Sequence, residues 1–142
     1  MSAPAPDPQQ QQEAHIRAML ERYAHAFMAG DGRNAAACWQ APALVVSNEG
    51  TQPVSRLSEV EEFFRIVPEQ YRARGVAGTR PEIVSLRWLT ERLAYAEVRW
   101  PYLDPQGGEA AGGEASAYII RIGPNGEAKI CVSAVIGSKL PS

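Results

Sequence analysis

Over residues 13–29 the apolar side chains fall at Ile16, Met19, Leu20, Tyr23 and Phe27, the three-and-four spacing that turns one face of a helix inward. Gly30 fits a left-handed helix cap, and Asp31 starts a turn. A second short helix is predicted over about 33–40, stopped by Pro42, and a β-branched strand follows from Ala43 to the Asn48-Glu49-Gly50 turn. Ser58 and Glu61 have the S-x-x-E spacing of a capping box. They predict a third helix with the stripe Val60, Phe63, Phe64, Val67 and Tyr71, bent at Pro68 and ended by Gly75. From there the pattern changes to period two. Strands are predicted over 82–89, 93–104, 114–122 and 127–136, and the Gly-Pro-Asn-Gly run at 123–126 places proline where a hairpin turn needs its fixed φ.

Along the second of these strands, alternation assigns Ala94, Ala96, Val98, Trp100 and Tyr102 to a buried face and sets Tyr95, Glu97 and Arg99 on the other; the outer or dimer-interface face is the leading expectation for Glu97 and Arg99, and an acid–base pair in the pocket is the alternative. With helices first and strands last, the expected class is α+β: a curved antiparallel sheet covered by three helices.

Charge and composition narrow the function. Fourteen Lys and Arg against 16 Asp and Glu give a net charge of −2 with no basic block, so the electrostatic footprint of a nucleic-acid binder is missing. No segment approaches the ~20 apolar residues of a membrane span, and MSAPAPDPQQQQ has neither the basic start nor the apolar run of a signal peptide. A soluble cytoplasmic protein is expected, with neither nucleic acid nor membrane as partner. It has a mobile tail over 1–12, one domain over 13–137 and a short C-terminal tail over 138–142.

Cys38 and Cys131 lack metal-ligand spacing and are expected to be reduced, buried thiols. His15 and His25 lie off the helical stripe, roughly 15 Å apart along the axis, too far to share a metal. No metal and no cofactor is expected. The segment DPQGGEAAGGE over 104–114 lacks the order of a phosphate-binding loop and reads as a hairpin loop, with Glu109 and Glu114 solvated.

Three stretches, ERYAHAFMAGD (21–31), CWQAPALVVSNEG (38–50) and SEVEEFF (58–64), resemble the nuclear-transport-factor-2-like superfamily, in particular its SnoaL-like cyclase and ketosteroid-isomerase branches. The first carries the signature Y-x-x-A-F-x-x-G-D from Tyr23 to Asp31. The resemblance implies a cone: a strongly curved antiparallel sheet wraps around the helices, in a cystatin-like α+β barrel. It leaves an apolar pocket at one end and pairs as a homodimer through the sheet's outer face.

In the isomerase branch a helix-1 tyrosine donates to the developing enolate, a first-strand carboxylate moves the proton, and a protonated acid on a later strand supplies a second donor. Tyr23 falls on the first position, Ser47 on the second, and Ser116 to Tyr118 near the third. A hydroxyl such as that of Ser47 cannot abstract a proton without a base of its own. The resemblance therefore supports the fold and the pocket and argues against that isomerization.

The pocket candidates are Tyr23, Trp39 (facing the pocket from helix 2), Phe64, Trp100 and Tyr118; none is assigned a catalytic role. The leading expectation is a protein that binds an apolar small molecule and is non-catalytic or of unassigned activity. Two alternatives stay open: a cofactor-independent isomerase, cyclase or hydratase acting on a hydrophobic carbonyl compound, and a dimeric protein-interaction module.

Overall fold

Ile16, Met19, Leu20 and Tyr23 are buried as their spacing requires, on a helix that runs further than the apolar stripe that reveals it. In the computed structural model, which describes residues 8–139, α1 spans Pro8–Ala29. It begins five residues before the expected start because proline suits a first helical turn and glutamine is a good helix former. The part of the expected tail over 8–12 is therefore helical; residues 1–7 and 140–142 lie outside the described residues.

Gly30 ends α1 with φ 68°. The Gly30 N–H donates to the Phe27 carbonyl (3.2 Å) and the Asp31 N–H to that of Ala26 (2.9 Å), the paired bonds of a Schellman cap. Asp31 at once caps α2 (Gly32–Ala36), its carboxylate accepting from the Asn34 N–H at 3.1 Å. The chain thus reverses within two residues.

Helix α2 is shorter than expected, and Trp39 opens a strand instead: β1 spans Trp39–Ser47. Strand pairing overrides the helical propensity of the alanines. Trp39 is in parallel register with Ile130, whose N–H donates to the Cys38 carbonyl at 2.8 Å. Pro42, expected to stop a helix, sits within the strand. The strand β2 (Gly50–Val54), unforeseen in the sequence, pairs antiparallel with β1 across the Asn48-Glu49 turn.

The next helix, α3 (Leu57–Ile66), is capped at Arg56 without a side-chain hydrogen bond, so Ser58 and Glu61 do not form their box; Ser58 already lies inside the helix. Pro68 breaks the run into α3 and α4 (Pro68–Arg72), giving four helices among the described residues where three were expected.

The remaining strands are β3 (Gly78–Thr79), β4 (Glu82–Trp88), β5 (Leu93–Leu103), β6 (Glu109–Ile122) and β7 (Ala128–Lys139). All seven strands among the described residues join one sheet in the order β2-β1-β7-β6-β5-β3, with β4 also on β5. It is curved and mixed: β1 and β7 run parallel, and the other pairs are antiparallel.

Ala94, Ala96, Val98, Trp100 and Tyr102 face the helices and are buried with Ile120, Ile122 and Ile130. Arg99 lies on the opposite face, ion-paired to Glu82 and Glu109.

One departure reaches the candidate site. The loop expected over 104–114 contracts to a turn at 104–108, where Asp104 Oδ1 accepts the N–H groups of Gln106 and Gly108 at 2.9 Å each. Strand β6 therefore starts at Glu109, drawn in by pairing such as Pro101 with Gly113. Glycine eases the close approach there: a Cβ at 113 would stand 3.0 Å from the Trp100 carbonyl oxygen.

Candidate functional site

Tyr23 stands at the centre of an aromatic cluster drawn from five elements. Its ring meets Phe64 of α3 edge-on at 5.3 Å between centroids, Trp100 of β5 at 6.0 Å and Trp39 of β1 at 6.5 Å; Trp100 in turn meets Tyr118 of β6 at 6.5 Å. These are the edge-to-face separations that aromatic quadrupoles favour. The five sequence candidates are thus brought together, and all line one cavity of about 420 Å³. Trp39 reaches it from β1, not from α2 as expected. Phe27, Val54, Val60, Tyr71 and Tyr102 complete most of the apolar wall.

Two hydrogen bonds set the polarity of the inner wall. Trp39 Nε1–H donates to the Tyr23 hydroxyl oxygen at 3.1 Å, and Trp100 Nε1–H donates to that of Tyr118 at 2.9 Å. An indole has only a donor to offer, so each phenol is held as its acceptor. Among the described residues nothing accepts the Tyr23 O–H, which is left to donate into the cavity.

Burial pushes the Tyr23 pKa well above the ordinary phenol value, reinforced by the neighbouring Tyr118 and opposed by the Trp39 hydrogen bond. Burial likewise pushes Tyr118 up to about 12, against the hydrogen bonds from Ser116 and Trp100. Both are neutral donors at pH 7 and not bases.

The cavity is also lined by a carboxylate that the sequence reading left in solvent, Glu114. Glu114 Oε1 accepts the Tyr71 O–H at 2.6 Å and that of Tyr102 at 3.4 Å. Burial, and then this carboxylate, raise the Tyr71 pKa. The correction follows from the early start of β6: Glu114, Ser116 and Tyr118 alternate onto one face, and all three line the cavity. Counting back by twos from Tyr118 would have found Glu114, but two glycines beside it made the segment read as loop. Glu109 is exposed as expected, though ion-paired to Arg80 and Arg99.

Ser47, at the position where the isomerase branch carries its base, does not line the cavity; its hydroxyl accepts the Glu49 N–H at 3.2 Å. The lining includes, among the described residues, Glu59 and Glu114 but no Lys, Arg or His. Among the described residues no three His, Cys, Asp or Glu side chains are grouped as metal ligands, and no helix is long and apolar enough to cross a membrane. Cys38 is buried, which raises its thiol pKa, whereas Cys131 is only half-buried beside Gln40.

A curved mixed sheet folded over N-terminal helices, with an aromatic hollow between them, defines an NTF2-like domain of the cystatin-like fold. Solved structures share it. A cystatin-like domain of unknown function from Nostoc punctiforme is 23% identical, with a TM-score of 0.64 over 87% of this chain and 75% of that one. An NTF2-like protein from Novosphingobium aromaticivorans is 12% identical, with a TM-score of 0.66 over 89% and 82%. A ketosteroid isomerase-like protein from Erwinia carotovora atroseptica is 16% identical, with a TM-score of 0.61 over 87% and 95%. No curated protein matches the chain. By sequence the chain belongs to the family of NTF2-like proteins designated DUF6841, whose model matches residues 12–137.

Proposed function

We propose that the protein binds an apolar small molecule in the aromatic cavity, and that Tyr23 and Tyr118 donate to an acceptor oxygen on it. The observation that supports this is the pairing of each phenol with a buried indole donor, which fixes the phenol oxygen and leaves the Tyr23 O–H unspent. A buried hydroxyl without an acceptor forfeits ~1–3 kcal/mol, a cost that a ligand carbonyl would remove. The hollow of about 420 Å³ falls in the size range of small-molecule sites, and it weighs against a pure interaction module, which needs no cavity.

A thermal-shift screen with hydrophobic ketones tests the reading, since a ligand at 100 times its Kd adds ~2.7 kcal/mol of stability. A rise in Tm with at least one ketone is expected; silence across a broad set contradicts the reading. Assembly as a homodimer through the outer sheet face is part of the same proposal, supported by exposed Leu44, Val84 and Ile136 on three of the strands.

Cofactor-free proton transfer on a carbonyl compound is the second reading, favoured by one observation: a carboxylate, Glu114, shares the cavity with the two phenol donors. Exchange of a ketone's α-hydrogens for deuterium in D2O, abolished by Glu114→Gln, would establish it. Absence of exchange with ketones that bind leaves the binding reading alone.

A further inference from the structure

Glu114 gives the cavity a chemistry of its own. Oε1 accepts two phenol hydrogen bonds, whereas no described residue donates to Oε2. Around the carboxylate the walls are rings: Tyr71 meets Tyr102 edge-on at 5.5 Å and Phe27 at 5.1 Å. Aromatic faces carry the negative side of the ring quadrupole and attract cations. Among the described residues the one other charged lining residue, Glu59, is also acidic.

A ligand anion would therefore meet negative charge that no described lining residue compensates, whereas a cation would find a charge-assisted acceptor with aromatic side chains around it. Resting on the binding reading above, we infer that the cavity selects a hydrophobic amine, its ammonium group donating to Glu114 beside Tyr71 and Tyr102 and an acceptor oxygen on its apolar body reaching the Tyr23 hydroxyl.

The test is calorimetric titration of three compounds with one skeleton at pH 7: 2-(1-naphthyl)ethylamine, 2-(1-naphthyl)ethanol and 1-naphthylacetate. The amine is expected to bind at least about tenfold tighter than the alcohol, the balance of cation–π and charged hydrogen bonding over a neutral one, and the carboxylate weakest. Glu114→Gln should bring the amine down to the alcohol, and Glu114→Asp, which keeps the charge, should preserve the order. Circular dichroism checks that both variants fold.

Equal binding of amine and alcohol, tightest binding of the carboxylate, or an amine preference that survives Glu114→Gln overturns the amine assignment and leaves the binding reading in place. Failure of all three compounds to bind also overturns the amine assignment, while the ketone screen decides the binding reading separately.

Discussion

The Tyr23 oxygen does two things at once: it satisfies the Trp39 indole and presents a proton to the hollow. Tyr23→Phe strands that indole N–H in a buried site, so the variant should lose ~1–3 kcal/mol in urea unfolding and bind ketones more weakly. A variant that gains stability and keeps every ligand affinity would contradict the role given to the phenol. Raised phenol pKa values also carry a stability consequence. A buried tyrosine that holds its proton more tightly when folded contributes fully below the unfolded value near 10, and that contribution drains away as pH climbs through the folded value, about 12 for Tyr118. Alkaline unfolding should therefore set in between about pH 10 and 12, with phenolate absorbance at 295 nm rising together with loss of circular dichroism. Phenolate release well before unfolding would show the rings open to water. At this scale the sequence was informative where alternation or helical spacing was strong, as at Tyr23, Trp100 and Tyr118. It misplaced Glu114 in solvent, because its glycine neighbours hide a strand that forms through pairing with β5 and β7.

Between elements, the joint of α1 and α2 shows why the Gly-Asp pair of the signature stands where it does. Gly30 takes the left-handed conformation that ends one helix, and Asp31 caps the next. Gly32 is closer still to its neighbours: a methyl there would enter the van der Waals envelope of the Glu61 backbone carbonyl on α3. Gly32→Ala should cost ~1–3 kcal/mol of overpacking, read as a lower urea midpoint with unchanged slope, and should disturb the cavity because α3 carries Val60 and Phe64 into its wall. A wild-type midpoint would mean that the helices separate freely. The amphipathic stripes of α1 and α3 were legible before folding because period alone encodes them. The exchange of helix for strand at Trp39 was not, since it depends on a parallel partner more than eighty residues away, at Ile130. The capping box failed for a related reason: local spacing permits it, but the helix is capped at Arg56, two residues before Ser58.

For the molecule as a whole, a sheet that bends over the helices α1 to α4 leaves a hollow instead of a filled interior, with aromatic side chains from helices and strands alike in its wall. The α+β class and the superfamily were readable from the order of elements and one helix signature; the mixed sheet order was not, because strand adjacency across the chain has no local mark. Sedimentation equilibrium should return twice the 15.4 kDa chain mass if the outer face pairs two copies, and the single mass if it does not. The protein's three tryptophans make the occupancy of the hollow directly observable. Trp39 and Trp100 direct their indole N–H groups at the two cavity phenols, whereas Trp88 directs its own at Glu13 (3.5 Å) and does not line the cavity. A 15N NMR titration with 1-acetonaphthone should shift the indole signals of Trp39 and Trp100 in a saturable way and leave that of Trp88 in place. Three unmoved signals at saturating ketone, or movement confined to Trp88, would contradict a small-molecule site in this cavity.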